Sequence, residues 1–188
     1  MTETLIAGAV LALLLIVTAL GVAKVRSDLK HQQVRQLLGL LDEALSAYHQ
    51  AGGHWPMCPP PAGPVSTTRG TPHENEREAA DRGFETAKCA MAALSAEPKS
   101  REILQKIPAI LLATDKSGAA EPVLLGGVRD AWGGALRCLT INSQDNIDRQ
   151  AVAANGGKPI FISAGADGNF GIKNIVAAAD NLRSDELP

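Results

Sequence analysis

The chain has 188 residues and a formal net charge of −2, with lysine and arginine scattered along it. This length suits one membrane helix and one small domain, and it excludes two full domains. Because the basic residues are scattered rather than clustered, nothing in the sequence indicates a nucleic-acid-binding surface, and an aromatic content of 3% predicts a modest, aliphatic core.

The first predicted element is a long helix that opens with an uncharged apolar run at residues 5–23 (LIAGAVLALLLIVTALGVA). At 1.5 Å per residue this run spans about 28 Å, close to the hydrocarbon thickness of a bilayer. It is longer than the apolar part of a cleaved signal peptide, so we expect a retained anchor. A helical period of apolar residues continues to Tyr48, and no glycine pair interrupts it before Gly52 and Gly53. We therefore predict one continuous helix, half inside the membrane and half outside it.

Basic residues follow the apolar run, at Lys24, Arg26, Lys30 and Arg35. By the positive-inside rule alone, this charge would place the rest of the chain in the cytoplasm.

Residues 52–72 are rich in proline and glycine, which predicts a loop. Thr71 and Pro72 then predict the N-cap and first position of a helix, whose apolar stripe extends to Leu94. A shorter helix is predicted to open at Ser100 and to run through Ile107, where it is either ended by Pro108 or continues through residues 110–112.

Three short segments predict strands, at residues 122–125, 135–141 and 159–163. Such a small antiparallel sheet is stable only when one face packs on a helix, and the second half of the long helix is the expected partner. The tail from residue 165 is polar, and only a turn at 175–179 is predicted in it. The predicted fold class is therefore α+β.

The chain divides accordingly into four parts. Residues 1–26 form the predicted transmembrane half of the helix and residues 27–52 its extramembrane half. Residues 53–121 hold the loop and the short helices, and residues 122–188 hold the sheet and the polar tail.

Four features, in this order, resemble the type IV pilin-like proteins, in particular the major pseudopilin of type II secretion. They are the long helix and the segments 48–56 (YHQAGGHWP), 130–136 (DAWGGAL) and 162–171 (ISAGADGNFG), the last followed by 179–182 (ADNL). The resemblance implies a pilin-like fold and a single-pass, non-catalytic subunit of the inner membrane, with its C-terminal domain in the periplasm or outside the cell. Its implied partners are other pilin-like subunits, bound through the N-terminal helix, and the inner-membrane assembly machinery.

The chain departs from this family at its start. No leader ending in glycine precedes Met1, and Ala7 stands where the family carries glutamate, since residues 4–7 (TLIA) align with Thr-Leu-Ile-Glu. We expect either an incomplete start or a divergent subunit. The alternative function is a bitopic envelope protein that does not polymerise and whose head binds a ligand or a partner.

A calcium site is predicted in the tail, where Asp167 and Asp180 offer carboxylate oxygens on a loop. The resembling pseudopilins bind calcium in this loop, which implies the same two side chains as ligands. The lesser candidates are Ser163, Gly165, Asn169 and Ser184. The alternative is structural, with a tight turn at Asp167 and a cap at Asp180.

The cysteines Cys58, Cys89 and Cys138 are odd in number and have no C-x-x-C spacing. In an oxidising compartment one pair could form a disulfide, and the sequence leaves that pair open. Three unpaired buried thiols are the alternative.

No catalytic motif was found: the chain contains no G-x-S-x-G, H-E-x-x-H or P-loop pattern. We therefore predict no enzymatic activity. Trp55 and Trp132 are expected to anchor turns by packing.

Overall fold

The computed structural model describes residues 2–59, 72–112, 128–143, 145–170 and 180–186, and it leaves out the side chains of residues 2–17, 19, 20, 23 and 72–82. The helices are α1 (Thr2–Gly52), α2 (Pro72–Ala96), α3 (Pro98–Leu104) and α4 (Asn146–Ala154). The strands are β1 (Arg137–Leu139), β2 (Ile160–Ser163) and β3 (Leu182–Arg183), and short 3₁₀ turns occupy Ala109–Leu111 and Ser184–Glu186. The predicted α+β class, with a long first helix and a small antiparallel sheet, is confirmed.

Helix α1 is one uninterrupted element of 51 residues. It ends where Gly53 adopts a left-handed backbone with a φ of 69°, a conformation that glycine takes at little steric cost. The Gly53 amide donates to the carbonyl of His49 at 2.7 Å, which satisfies one of the last open carbonyls of the helix.

The second half of α1 forms the spine of the main core. Its fully buried residues recur every three or four positions and so share one face of the helix: Val34, Leu37, Leu38, Leu41, Ala44 and Leu45. This face packs in one cluster with Met91 and Leu94 of α2, Leu104 of α3 and Phe161 of β2. The apolar period thus correctly predicted which part of the helix the domain buries.

The three strands are arranged β1-β2-β3, and both neighbouring pairs are antiparallel. β1 and β2 lie within two of the predicted strand segments, with Cys138 opposite Phe161. The third predicted strand, at residues 122–125, lies outside the described residues, as does the predicted turn at 175–179.

The prediction of an irregular tail was wrong, because the tail supplies β3. Leu182 pairs with Ser163 across the β2–β3 ladder. The hydroxyl of Ser184, just beyond β3, accepts the amide of Phe161 at 3.0 Å. A strand of two residues, held by its neighbour's backbone, has no side-chain period that a sequence could display.

The predicted start of α3 at Ser100 was also wrong. The helix begins at Pro98, and the carboxylate of Glu97 caps it by accepting the Ser100 amide at 2.6 Å. Ser100 is buried, and its hydroxyl donates to the Ala44 carbonyl of α1 at 2.9 Å. The helix ends at Leu104 rather than Ile107.

Helix α2 begins at Pro72, as predicted, and approaches β1 closely at Gly83. A Cβ at Gly83 would lie 2.4 Å from Cγ of Arg137, so any larger residue would force the Arg137 side chain to move. Arg137 in turn pairs with Asp148 of α4, a helix that the sequence analysis missed. The Asp145 side chain caps α4 by accepting the Ile147 amide at 2.8 Å.

An ion pair holds the residues just before β2 against α1. The Nζ of Lys158 lies 2.6 Å from Oδ1 of Asp42 and 3.1 Å from the hydroxyl of Ser46. These two α1 residues lie four positions apart and hence on one face of the helix.

Candidate functional site

A tight turn at residues 130–134 is organised by one buried carboxylate. Oδ1 of Asp130 accepts the amides of Trp132 at 3.0 Å and of Gly134 at 2.7 Å. The Asp130 amide donates to the Gly134 carbonyl at 2.8 Å, which closes the turn. Asp130 is only 2% exposed, so these bonds replace the water that its charge would otherwise require.

The two glycines of this turn have different roles. Gly133 supplies a left-handed backbone, with a φ of 86°. Gly134 leaves room for the carboxylate, because a Cβ there would lie 3.0 Å from Oδ2 of Asp130.

Ser163, at the end of β2, connects this turn to the tail. Its hydroxyl donates to Oδ2 of Asp130 at 2.7 Å and accepts the amide of Gly165 at 3.1 Å. Ser163 is fully buried.

The tail turn that follows β2 is closed by Asp180. Oδ2 of Asp180 accepts the amides of Ala166 at 3.0 Å and of Asp167 at 3.3 Å. Gly165 is required here, because its φ is 68° and a Cβ would lie 2.5 Å from the Asp180 carbonyl oxygen. Oδ1 of Asp167 accepts the amide of Asn169 at 2.8 Å. We call this connected set of Asp130, Ser163, Gly165, Asp167 and Asp180 the polar turn network.

Asn181, next to Asp180, has an unusual environment. Its Nδ2 donates to the Phe170 carbonyl at 3.1 Å. Its Oδ1 is buried and has no hydrogen-bond partner among the described residues. A buried amide oxygen without a partner is unfavourable, and a cation or a water molecule would relieve it.

The predicted calcium ligands separate into two groups. Asp167 and Asp180 meet at the tail turn, and Gly165 and Asn169 lie in the same turn. Ser163 and Ser184 instead have structural hydrogen bonds, to Asp130 and to the Phe161 amide. Within the described part of the chain, no group of three or more histidine, cysteine, aspartate or glutamate residues is placed to hold a metal ion.

Sequence reasoning missed Asp130 and Asn181 as members of the site. The bond from Ser163 to Asp130 spans 33 residues, so no local pattern indicates it. The available signal is that Asp130 and Asn181 lie in the segments 130–136 and 179–182 of the pilin-like resemblance.

Trp132, one of the two tryptophans expected to anchor a turn, packs the turn against α1. Its ring meets the His31 ring edge to face, with centroids 4.8 Å apart. Trp55 stacks on His49 at 4.0 Å and holds the segment after α1 against the end of that helix. Both tryptophans therefore act in packing, as expected.

The three cysteines are free thiols that belong to the main core. Cys58 and Cys138 are buried, and Cys89 is half-buried at the edge of the cluster. Burial raises the pKa of the Cys58 and Cys138 thiols, and the neighbouring Cys89 raises both pKa values further.

Helix α1 changes character towards its N-terminus. None of its described side chains between residues 18 and 33 is buried. Val22, Val25 and Leu29 are each more than half exposed, at 51%, 58% and 52%. Among the described residues, no helix is both long enough and apolar enough to cross a membrane. The predicted span at residues 5–23 lies largely outside the side chains described.

Comparisons of the chain with protein-family models, with curated proteins and with solved structures gave no match.

Proposed function

We propose that this chain is a membrane-anchored, pilin-like structural subunit, a pseudopilin, of a type II secretion or type IV pilus-like filament, without a catalytic role. The observation that carries the proposal is the division of α1. One continuous helix, Thr2–Gly52, forms the spine of a small head from Val34 onward, while the described part before residue 34 buries no side chain.

This division is what lateral helix assembly requires. A helix whose apolar residues are not covered by its own head gains stability by packing on membrane lipid or on neighbouring copies. The exposed Val22 lies near the end of the apolar run at residues 5–23, and the exposed Val25 follows it towards the head. The run also carries the small residues Ala7, Gly8 and Ala12, which permit close approach between helices.

The polar turn network gives independent support. Two of the sequence segments that carry the pilin-like resemblance, around Asp130 and Ser163, are bonded to each other directly. The two motifs are therefore parts of one buried hydrogen-bond network.

We further propose that this subunit binds calcium through Asp167 and Asp180. Both carboxylates lie at one turn, and carboxylate oxygens are hard ligands of the kind that calcium takes. Asn181, the next residue after Asp180, has a buried Oδ1 without a partner among the described residues. Bound calcium would fix the tail turn to the end of β2.

Photo-crosslinking in the native host tests the filament. Val25 is replaced by benzoylphenylalanine, which reports neighbours of α1, and exposed Glu102 of α3 is replaced in a matched control. We expect irradiation to produce a ladder of multimers of this chain from position 25, in the membrane or filament fraction, and a much weaker ladder from position 102.

A chain that stays in the membrane fraction without any ladder would contradict the filament and favour a bitopic binding protein. Topology is measured separately, with a reporter that is active only outside the cytoplasm fused after Pro188. Reporter activity supports an exported head, and its loss with retained expression contradicts it.

A further inference from the structure

The part of α1 that follows the apolar run carries a concentration of positive charge, and we call residues 24–35 the basic segment. It contains four basic residues and one acidic residue, Asp28, so its formal charge is +3. Because the whole chain has a formal charge of −2, the rest of the chain carries −5. The basic segment can therefore attract an anionic partner that the rest of the chain repels.

The four basic side chains are accessible to such a partner. Lys24, Arg26 and Arg35 are exposed, and Lys30 is half-buried. None of them forms an ion pair or a side-chain hydrogen bond with another residue that the structure describes. Their charge is thus not neutralised within the described part of the chain.

The basic residues lie on opposite sides of α1. An α-helix turns by about 100° per residue, so Lys24 and Arg26 are separated by more than a third of the circumference in either direction. Arg35 lies about three turns beyond Lys24 on the same side, and Lys30 lies about one turn beyond Arg26 on the other. A packed protein helix contacts one side, whereas lipid headgroups surround a helix that leaves a bilayer. Charge on two opposite sides therefore favours a lipid surface.

The exposed apolar residues occupy a different side of the same helix. Val22, Val25 and Leu29 are three and four positions apart and so share one face. This face lies between the two basic sides and carries no basic residue. Helix packing through the apolar face and lipid binding by the basic segment are therefore compatible.

The position of the charges along α1 also suits headgroups. At 1.5 Å per residue, Lys24, Arg26 and Lys30 lie about 2, 5 and 11 Å beyond the end of the apolar run. Helical side chains tilt toward the N-terminus, here toward that run, and long basic side chains can extend to a membrane interface. Because physiological salt screens charges over about 8 Å, Arg35, about 18 Å from the run, contributes less.

We propose that the basic segment binds the anionic headgroups of phospholipids where α1 leaves the bilayer. The inference rests on the proposed membrane anchor and adds to it the class of lipid that the anchor prefers. Phosphate oxygens accept hydrogen bonds from the ammonium group of Lys24 and the guanidinium group of Arg26. An anionic lipid also retains a net negative charge, which a zwitterionic lipid lacks, and this charge attracts each basic residue near the surface.

Competition between two kinds of vesicle tests the proposal. The full-length chain is transferred from detergent into an equal mixture of phosphatidylcholine vesicles and vesicles that also contain about 30% phosphatidylglycerol, and the two kinds are separated by density. We expect about tenfold more chain in the anionic vesicles at about 20 mM NaCl. The preference should fall below about twofold at about 500 mM NaCl, because salt screens the attraction.

A charge-neutralised variant identifies the residues that produce the preference. Lys24→Gln, Arg26→Gln and Lys30→Gln are combined in one chain, which should enter both kinds of vesicle equally at low salt. All three changes lie before Val34, where the described part of α1 buries no side chain, so the head should fold as in the wild type.

The matched control removes the same number and types of charge from the head. It combines Lys99→Gln, Arg101→Gln and Lys106→Gln, at exposed positions in and just after α3. This variant should retain the tenfold preference. Loss of the preference in both variants would show that total charge, rather than the basic segment, selects the lipid, and would overturn the proposal.

A wash at high salt separates this proposal from the membrane anchor. Wild-type chain recovered equally in both kinds of vesicle, and retained by both after the wash, would overturn lipid selection and support the anchor. Chain bound only to anionic vesicles and released by the wash would support lipid binding and contradict the anchor. Chain recovered in neither kind would contradict both.

Discussion

Ser163 and Asp130 lie 33 residues apart in the chain, and the Ser163 hydroxyl donates to the Asp130 carboxylate at 2.7 Å. Both side chains are almost completely buried, at 0% and 2% exposed. This bond makes the turn before β1 and the turn after β2 dependent on each other, because Ser163 also accepts the amide of Gly165.

Removal of the hydroxyl should therefore be costly. Ser163→Ala leaves one oxygen of Asp130 and the Gly165 amide buried without their partner, so we expect a loss of about 2 kcal/mol in the free energy of unfolding. Urea denaturation measures this loss. Ser95→Ala is the control, since its hydroxyl only donates back to the Met91 carbonyl within α2, and it should change stability by less than about 0.5 kcal/mol. Equal effects of the two variants would refute the importance of the buried bond.

Alanine substitutions at two glycines of the tail turn can distinguish the cost of a steric clash from the cost of a left-handed backbone. Gly165 and Gly168 have nearly the same φ, 68° and 69°, but only Gly165 faces Asp180. Gly168→Ala should cost about 1 kcal/mol for its left-handed backbone. Gly165→Ala should cost at least about 2 kcal/mol more, because its Cβ would meet the Asp180 carbonyl oxygen. Thermal and urea unfolding of both variants provide the comparison, and similar losses would show that the turn can open to admit the methyl group.

The crossing of α2 over β1 depends on Gly83. Gly83→Ala should destabilise the chain by about 2 kcal/mol, because the new methyl group would overlap Cγ of Arg137. In an Arg137→Ala background the cost should fall by about 1 kcal/mol or more, because the Cγ and Cδ contacts are gone and only the Cβ of residue 137, at 3.1 Å, remains close, while alanine favours a helix over glycine. This double-mutant cycle uses equilibrium unfolding. If the effects of the two substitutions were additive, the cost of Gly83→Ala would not come from contact with Arg137.

The pH dependence of stability should contain an identifiable contribution from Asp148. Burial raises the pKa of this carboxyl, although the adjacent Arg137 opposes the shift. Between the usual and the raised pKa the folded chain binds more protons than the unfolded chain, so this group lowers stability as pH rises through that window. Asp148→Asn should remove that fall when the free energy of unfolding is measured from about pH 3.5 to 6.

Glu97 should change the pH dependence of stability in the opposite direction in the same experiment. The hydrogen bond from the Ser100 amide lowers the pKa of Glu97, so its contribution is present above the usual pKa and is lost as pH falls. Glu97→Gln should therefore flatten a rise of stability with pH. If both variants changed the slope in the same direction, the assignment of Asp148 would be wrong.

Calcium should stabilise the chain if the tail turn binds it. At a free concentration of 100 Kd the stabilisation is about 2.7 kcal/mol, and a chelator should reverse it. Asp167→Asn keeps an acceptor for the Asn169 amide but loses the charge, so it should abolish the calcium effect while changing the metal-free stability little. Asp185→Asn, whose carboxylate pairs with Arg183 outside the turn, should keep the effect. A wild-type Tm that is the same in calcium, magnesium and EDTA would exclude the site.

The sequence predicted the large periodic elements well. The apolar period of α1 from Val34 to Leu45 and the proline at the start of α2 are local signals, and both correspond to observed features. Strands β1 and β2 also lie within predicted segments, because their buried residues form continuous apolar runs.

Two of the misses have a common physical cause. β3 and the bond between Asp130 and Ser163 depend on partners far away in the chain. Ser100 is a good N-cap by residue type, and its hydroxyl is used instead by the Ala44 carbonyl, 56 residues earlier. Tertiary contacts of this kind override local preference, and a single sequence contains no direct record of them.

The unbroken course of α1 also has a mechanical meaning. A helix of 51 residues is about 77 Å long, and it enters the head without a joint. A force or torque applied at its first turns is transmitted along the helix to Leu37 and Leu41 in the core, because no flexible segment lies between them. The head should therefore move together with α1. The ion pair between Lys158, just before β2, and Asp42 of α1 also links the helix to the sheet.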